Sequence, residues 1–177
     1  YVGYDKELLG VIAMRDTMRE NAAQTLAKLR KLGVKELIML TGDVQSKADQ
    51  VASELGIDRV YANCLPTDKA GIIEQLKAEG KKVAFVGDGI NDAPSLTKAH
   101  VGISMQKGAD IAKATADISL LKDDIGSVAV AKDVANKTMR LINTNFNATV
   151  GINSLILAGA TFGLFNPIAT AVLHNGT

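Results

Sequence analysis

Apolar runs and helical stripes alternate along the first 120 residues. Residues 8–14 (LLGVIAM) form an apolar run that predicts a buried strand, and a charged break follows from Asp16 to Arg19. Residues 20–32 set Ala23, Leu26, Ala27, Leu29 and Leu32 on one helical stripe closed by Gly33. ELIMLT (36–41) predicts a buried strand ending in Thr41-Gly42-Asp43, and residues 45–55 a helix stopped by Gly56. Val60–Ala62 is a short strand, and Pro66 opens a helix running to about Glu79. KVAFVG (82–87) is a second strong strand, ending in Gly87-Asp88-Gly89, with a short helix after it from about Asn91 to Ala99. Val101–Ser104 and Ile118–Leu121 complete the strands. This alternation predicts an α/β fold with a parallel sheet, right-handed crossovers and helices on both faces. Ligands of such sheets bind beyond the carboxyl ends of the strands, where TGD and GDGIND both fall.

From about Ile125 the pattern is helical and changes material. No Asp, Glu, Lys or Arg follows Arg140, so all 20 basic and 19 acidic side chains lie in the first 140 residues. Residues 148–165 (ATVGINSLILAGATFGLF) carry no charge over a length near the lower limit for spanning a bilayer. Lys132, Lys137 and Arg140 precede this run, as a cytoplasmic flank would. Asn166-Pro167 is a turn signal, and IATAVL (168–173) begins a returning helix. The alternative is a buried helix of a soluble protein, although such a helix normally keeps a charged face.

Charge and cysteine content narrow the function classes. A net charge of +1 gives no support for nucleic-acid binding by bulk charge. A single cysteine, Cys64, excludes an internal disulfide scaffold. The chain starts at Tyr1 inside an apparent strand, and it is expected to be an excerpt of a longer protein.

Three groups carry candidate chemistry. In GDGIND (87–92), Asp88 follows a buried strand and Asp92 heads a helix. Two carboxylates so placed suit a hard cation such as Mg²⁺, the alternative being that Asp92 caps the helix. Thr41 and Gly42 offer a hydroxyl and an amide to a phosphoryl oxygen, or else form an ordinary tight turn. Lys69 in PTDK stands at a helix start, where the dipole favours anions, so it points to a bound anion or is simply solvated. Cys64 and His100 read as structural. Asn153, a polar amide in the uncharged run, either bonds a neighbouring helix or faces an ion path. His174 is either a ligand for borderline metals or interfacial.

Hydroxyl, lysine and paired aspartates, in that order at strand ends, are the phosphotransfer arrangement of the haloacid-dehalogenase-like fold. TGD, PTDK and GDGINDAPSL closely resemble the phosphorylation domain of P-type ATPases, as does ADISLLKDDIGSV (116–128) ahead of a long helix. Asp16-Thr17-Met18-Arg19 resembles the hinge returning from the nucleotide-binding domain. The resemblance implies an ATP-driven cation translocase with an aspartyl-phosphate intermediate. Residues 1–14 would end the nucleotide-binding domain and its hinge strand, 15–135 would form the phosphorylation domain, and 136–177 the membrane helix, turn and returning helix. Asp88 would hold Mg²⁺ with Asn91 and Asp92 in support. Lys69, Thr41 and Gly42 would orient phosphoryl oxygens, and Asp43 would face the nucleotide, ATP. The phosphorylated Asp of a DKTGT motif is not in this chain, so its nucleophile and the strand bearing it are expected upstream.

NTNFNATVGIN (143–153) resembles the membrane-entry segment of heavy-metal-transporting P-type ATPases, and HNGT (174–177) a motif in the next helix of some members. Copper pumps of that group usually carry Tyr where Ile152 stands, and the common zinc and cadmium pumps place a Lys in this helix, which has none. The expected partners are therefore ATP, a divalent heavy-metal cation and a lipid bilayer, with residues 1–140 cytoplasmic and the protein multi-pass in a bacterial plasma membrane. The rival readings are a potassium-pump type P-type ATPase subunit and a soluble haloacid-dehalogenase-like phosphatase. The second needs an N-terminal DxD and a charged final helix, and this chain has neither.

Overall fold

A computed structural model describes residues 1–12, 18–88, 90–108, 110–164 and 166–175. The chain divides into two compact units, residues 1–126 and 127–177.

The first unit opens with an antiparallel hairpin, β1 (Val2–Tyr4) and β2 (Glu7–Gly10). Its turn residues, Asp5 and Lys6, both take left-handed φ values of 44° and 68°, as tight two-residue hairpins require. Of the strand expected over residues 8–14, residues 8–10 lie in β2, Val11 and Ile12 follow it outside any strand, and 13 and 14 lie outside the described residues; the expected burial is not there. Leu8 and Leu9 are about two-thirds exposed, at 65% and 66%. A lone hairpin can pair its backbone, yet among the described residues it has no second layer to cover its faces.

The α/β part follows as α1 (Ala22–Lys31), β3 (Ile38–Leu40), α2 (Gln45–Leu55), β4 (Arg59–Tyr61) and α3 (Pro66–Ala78). It continues with β5 (Ala84–Gly87), a 3₁₀ turn (Ile90–Asp92), α4 (Ala93–Lys98), β6 (Val101–Ser104), α5 (Asp110–Thr115) and β7 (Ile118–Ser119). Every pairing among β3–β7 is parallel, with a helix in each crossover. Ile73, Leu76, Leu96, Ile103 and Ala112 form the heart of the core. The buried face of α1 is Ala22, Thr25 and Leu29, one step round from the predicted stripe, and Ala23 and Ala27 are exposed. Alanine says little about which face is inner, and Thr25 takes a buried place that its hydroxyl disguises in the sequence.

The parallel strands form two sheets. β3 pairs with β4, and β5 pairs with β6, which pairs with β7. β3 and β5 are not hydrogen-bonded to each other, so each has one partnered edge among the described residues. This explains why both strong strands of the sequence are less buried than expected: Ile38–Leu40 are half-buried, and Val86 is 38% exposed. The two sheets are tied at the amino ends of their strands by four alternating charges. Glu36 pairs with Arg59 (3.0 Å) and Lys81 (2.5 Å), and Glu79 with Lys81 (3.2 Å) and Arg59 (3.8 Å). The hydrogen bond to Glu36 raises the Lys81 pKa, and the bond to Lys81 lowers that of Glu79.

The second unit is helical. α6 runs unbroken from Gly126 to Thr161, and α7 spans Pro167–Asn175. Gly163, at φ 73°, ends α6 in a left-handed turn whose amide groups reach back, Gly163 to Ala160 O and Leu164 to Gly159 O. The turn expected at Asn166-Pro167 is present: the Asn166 side-chain oxygen accepts the Ala169 amide at 2.7 Å and starts α7. Among the described residues, no helix is long and apolar enough to cross a membrane. Asn143, Asn145, Asn147 and Asn153 dilute the apolar character of the uncharged run before α6 ends.

Candidate functional site

The carboxyl ends of β3 and β5 carry the polar groups that the sequence singles out. At β5, Gly87 is followed by Asp88, and the 3₁₀ turn brings Asp92 back beneath the strand end. A β-carbon on Gly87 would lie 2.8 Å from the Asp92 β-carbon and 2.9 Å from its Oδ2. Only glycine admits that approach. Asp92 stands at the first position before α4, yet its carboxylate makes no capping bond. Its Oδ1 instead accepts Lys69 Nζ at 2.8 Å, and its Oδ2 lies 3.4 Å from the Asp88 amide. The capping alternative for Asp92 and the solvated alternative for Lys69 are both set aside by this pair, whose side chains are 11% and 20% exposed. Lys69 belongs to the first turn and a half of α3, so the bond joins residues 23 apart in sequence across two helix starts.

At β3, Thr41 Oγ1 accepts the Asp43 amide at 3.1 Å and donates to Asp43 Oδ2 at 3.2 Å. Lys47, one turn into α2, pairs with Asp43 at 3.1 Å. The Lys47 hydrogen bond, helped by that from Thr41, holds the Asp43 carboxyl below its ordinary pKa. The loop after β4 is laced to this turn: Cys64 N donates to Thr41 O and Asn63 N to Asp43 O. Gly42 faces the Cys64 carbonyl, 3.5 Å from where a β-carbon would stand. Lys47 was not legible as part of this group, since nothing but its i+4 spacing from Asp43 marks it.

Asn91 is exposed in the 3₁₀ turn and, with Pro66, Thr67, Ala70, Ile90 and Pro94, lines an open cleft of about 320 Å³ beside the Lys69–Asp92 pair. Asp88 is exposed at the strand end. Among the described residues no group of three or more His, Cys, Asp or Glu could hold a metal. A structural zinc or a calcium cage is therefore not built from them. Two carboxylates on one short loop do fit Mg²⁺, which binds through one or two carboxylates and keeps several waters.

Asp16 of the predicted hinge lies outside the described residues. Arg19 donates to the Asp123 carbonyl at 2.6 Å and to its carboxylate at 3.2 Å, where Lys107 also reaches at 3.3 Å. Asn21 bonds the neighbouring Asp124. Cys64 Sγ donates to Tyr61 O at 3.3 Å, and His100 Nδ1 accepts the Val83 amide at 3.2 Å. Partial desolvation lowers the His100 pKa, with Lys82 and Lys77 adding to it. Asn153 is half-buried in α6, and His174 lies in α7.

A haloacid dehalogenase-like hydrolase model matches residues 2–100, and a second model of the same description matches residues 70–131. The chain belongs to the haloacid dehalogenase-like hydrolases. It is 40% identical over 174 residues to a manganese-exporting P-type ATPase of Mycobacterium leprae, a match covering 98% of this chain and 24% of that one. A zinc-exporting P-type ATPase of Mycobacterium marinum matches at the same identity and coverage. The chain thus spans about a quarter of the length of the curated relatives it matches. Among solved structures, a zinc-transporting PIB-type ATPase in its E2·Pi state superposes with a TM-score of 0.85 at 34% identity, covering 97% of this chain and 28% of that one.

Gly87 tests how tightly Asp92 is held. Gly87→Ala should destabilise the chain by about 1–3 kcal/mol through overpacking. Gly71→Ala, in α3 with nothing within 4 Å of the added carbon, should leave stability unchanged or raise it by up to about 1 kcal/mol. Urea midpoints measure both, and equal midpoints for the two variants would mean that Asp92 does not pack against the strand end as described.

Proposed function

We propose that this chain is the phosphoryl-handling part of an ATP-driven pump for a divalent heavy-metal cation, a P-type ATPase. The observation that carries the reading is the Lys69–Asp92 pair at 2.8 Å beside Asp88, at the carboxyl end of a parallel strand. Lysine and paired carboxylates at one strand end suit a phosphoryl group and its cation. The 40% identity to manganese- and zinc-exporting P-type ATPases over nearly the whole chain supports the same reading.

In this proposal Asp88 and Asp92 hold Mg²⁺, with Asn91 beside them. When bound, Mg²⁺ offsets the charge of the phosphoryl oxygens. Lys69 contributes a second positive charge, and Asp92 aims it. The Thr41 hydroxyl and Gly42 amide hydrogen-bond phosphoryl oxygens from the β3 side, and Asp43, oriented by Lys47, faces the nucleotide. These are positioning and electrostatic roles, as phosphoryl transfer needs. The attacking carboxylate comes from a strand upstream, which takes the place between β3 and β5, where each strand has an edge without a hydrogen-bonded neighbour among the described residues. In the full-length protein Asp88→Asn should abolish Mg²⁺-dependent phosphoenzyme formation. Normal labelling by ATP in that variant would sink the metal assignment.

Residues 1–14 then end the nucleotide-binding domain, Asp16 and Arg19 form the hinge, residues 15–135 form the phosphorylation domain, and residues 136–177 enter and re-enter the membrane. The uncharged run, its Lys132, Lys137 and Arg140 flank, and the relatives named as exporters support the membrane placement. Asn153 within the run needs a partner helix to satisfy its amide in a bilayer. A cysteine introduced at Asn166 of the full-length protein should react with an impermeant label from outside the cell. Reaction only after permeabilisation would reverse the topology.

Asn153 and His174 are proposed for the cation path. Imidazole and amide donors without thiolate favour borderline divalent metals over Cu(I). Metal-stimulated ATPase activity of His174→Ala should change its ranking across zinc, cobalt, manganese, iron and copper. An unchanged ranking assigns His174 to structure.

A further inference from the structure

Lys69 stands in an unfavourable electrostatic position. It sits near the start of a 13-residue helix, whose exposed amide groups already carry positive partial charge. Asp92 offsets this from outside the helix. From inside, the first turn holds one acidic residue, Asp68. Asp68 is adjacent to Lys69 in sequence, and adjacent residues on a helix do not face each other. Its carboxylate goes elsewhere: Oδ2 accepts the Leu65 amide at 2.8 Å, while the Asp68 amide donates to Leu65 O at 3.0 Å. That reciprocal pair closes the first turn of α3 on the extended Leu65, and Pro66 presets the helical φ between them. Lys69 is the next residue along.

We propose that Asp68 is a positioning residue for Lys69. By closing the first turn it fixes the direction from which the lysine reaches Asp92 and the proposed phosphoryl site. The inference rests on the function proposed above and adds to it a residue that touches neither substrate nor metal. What matters is the acceptor oxygen rather than the charge. Without it the Leu65 amide loses its partner, the turn frays, and the Lys69 ammonium is no longer held at 2.8 Å from Asp92.

The test uses the full-length protein and its phosphoenzyme formation from labelled ATP. Lys69→Ala should lower the rate about a hundredfold or more, as loss of a preorganised charge does. Asp68→Ala should lower it about tenfold, the scale of a lost cap. Asp68→Asn, whose amide oxygen still accepts the Leu65 N–H, should stay within about twofold of the parent. In Asp68→Ala/Lys69→Ala the two losses should not add, because without the lysine nothing is left to aim. If Lys69→Ala phosphorylates normally, the proposed function fails. If Lys69→Ala is impaired but Asp68→Asn is as damaged as Asp68→Ala, or the double variant loses the product of the two effects, the positioning role is overturned. Asp68→Asn retains the cap, so it reads out the inference even should Asp68→Ala not fold.

Discussion

The arrangement of this site depends on one ion pair. Lys69 and Asp92 come from different helices, and neither has a local reason to point where it does. Lysine at a helix start opposes the dipole, and an aspartate before a helix would ordinarily turn to cap it. Each gives up its local preference for the other. The rest follows: a glycine must precede Asp88 because the Asp92 side chain fills the space of a β-carbon, and α3 must begin sharply so that its lysine starts from a defined place.

The second constraint is the split sheet. Parallel strands are stabilised by neighbours on both edges and layers on both faces. Here the two strands that carry the site have a partner on one edge only, among the described residues. Their half-burial is the structural mark of that. A strand entering between them would bury Val86 and the β3 residues, and its carboxyl end would lie between Thr41 and Asp88. In the proposed function, completing the sheet and supplying the attacking group are the same event.

Most of this was legible in the sequence. The strand ends, the helix stops at Gly56 and Gly80, the long final helix and its turn were all marked by apolar runs and by glycine or proline. So was the placement of Thr41, Lys69, Asp88 and Asp92 at strand ends and helix starts, because TGD, PTDK and GDGIND combine local turn chemistry with strand ends. What escaped was set at long range. The exposure of Leu8 and Leu9 depends on what covers a hairpin, and the inner face of α1 was written in alanines that fit either side. Lys47, and the partnership of Lys69 with Asp92 in place of a cap, needed the fold to bring them together. α5 (Asp110–Thr115) was too short for a periodicity to stand out.

The four charges at the amino ends of the strands have an evolutionary consequence. Glu36, Arg59, Glu79 and Lys81 form a closed ring in which each cation touches both anions. Replacing one leaves its two neighbours with unequal claims on the charge that remains, so the effect of a second change depends on the first. Only reversal of all four signs together restores the alternation, whereas reversing one member, or one acid with one base, places like charges side by side. The ring is therefore a site of epistasis: its members drift as a set, and the path between two acceptable sets runs through variants less stable than either.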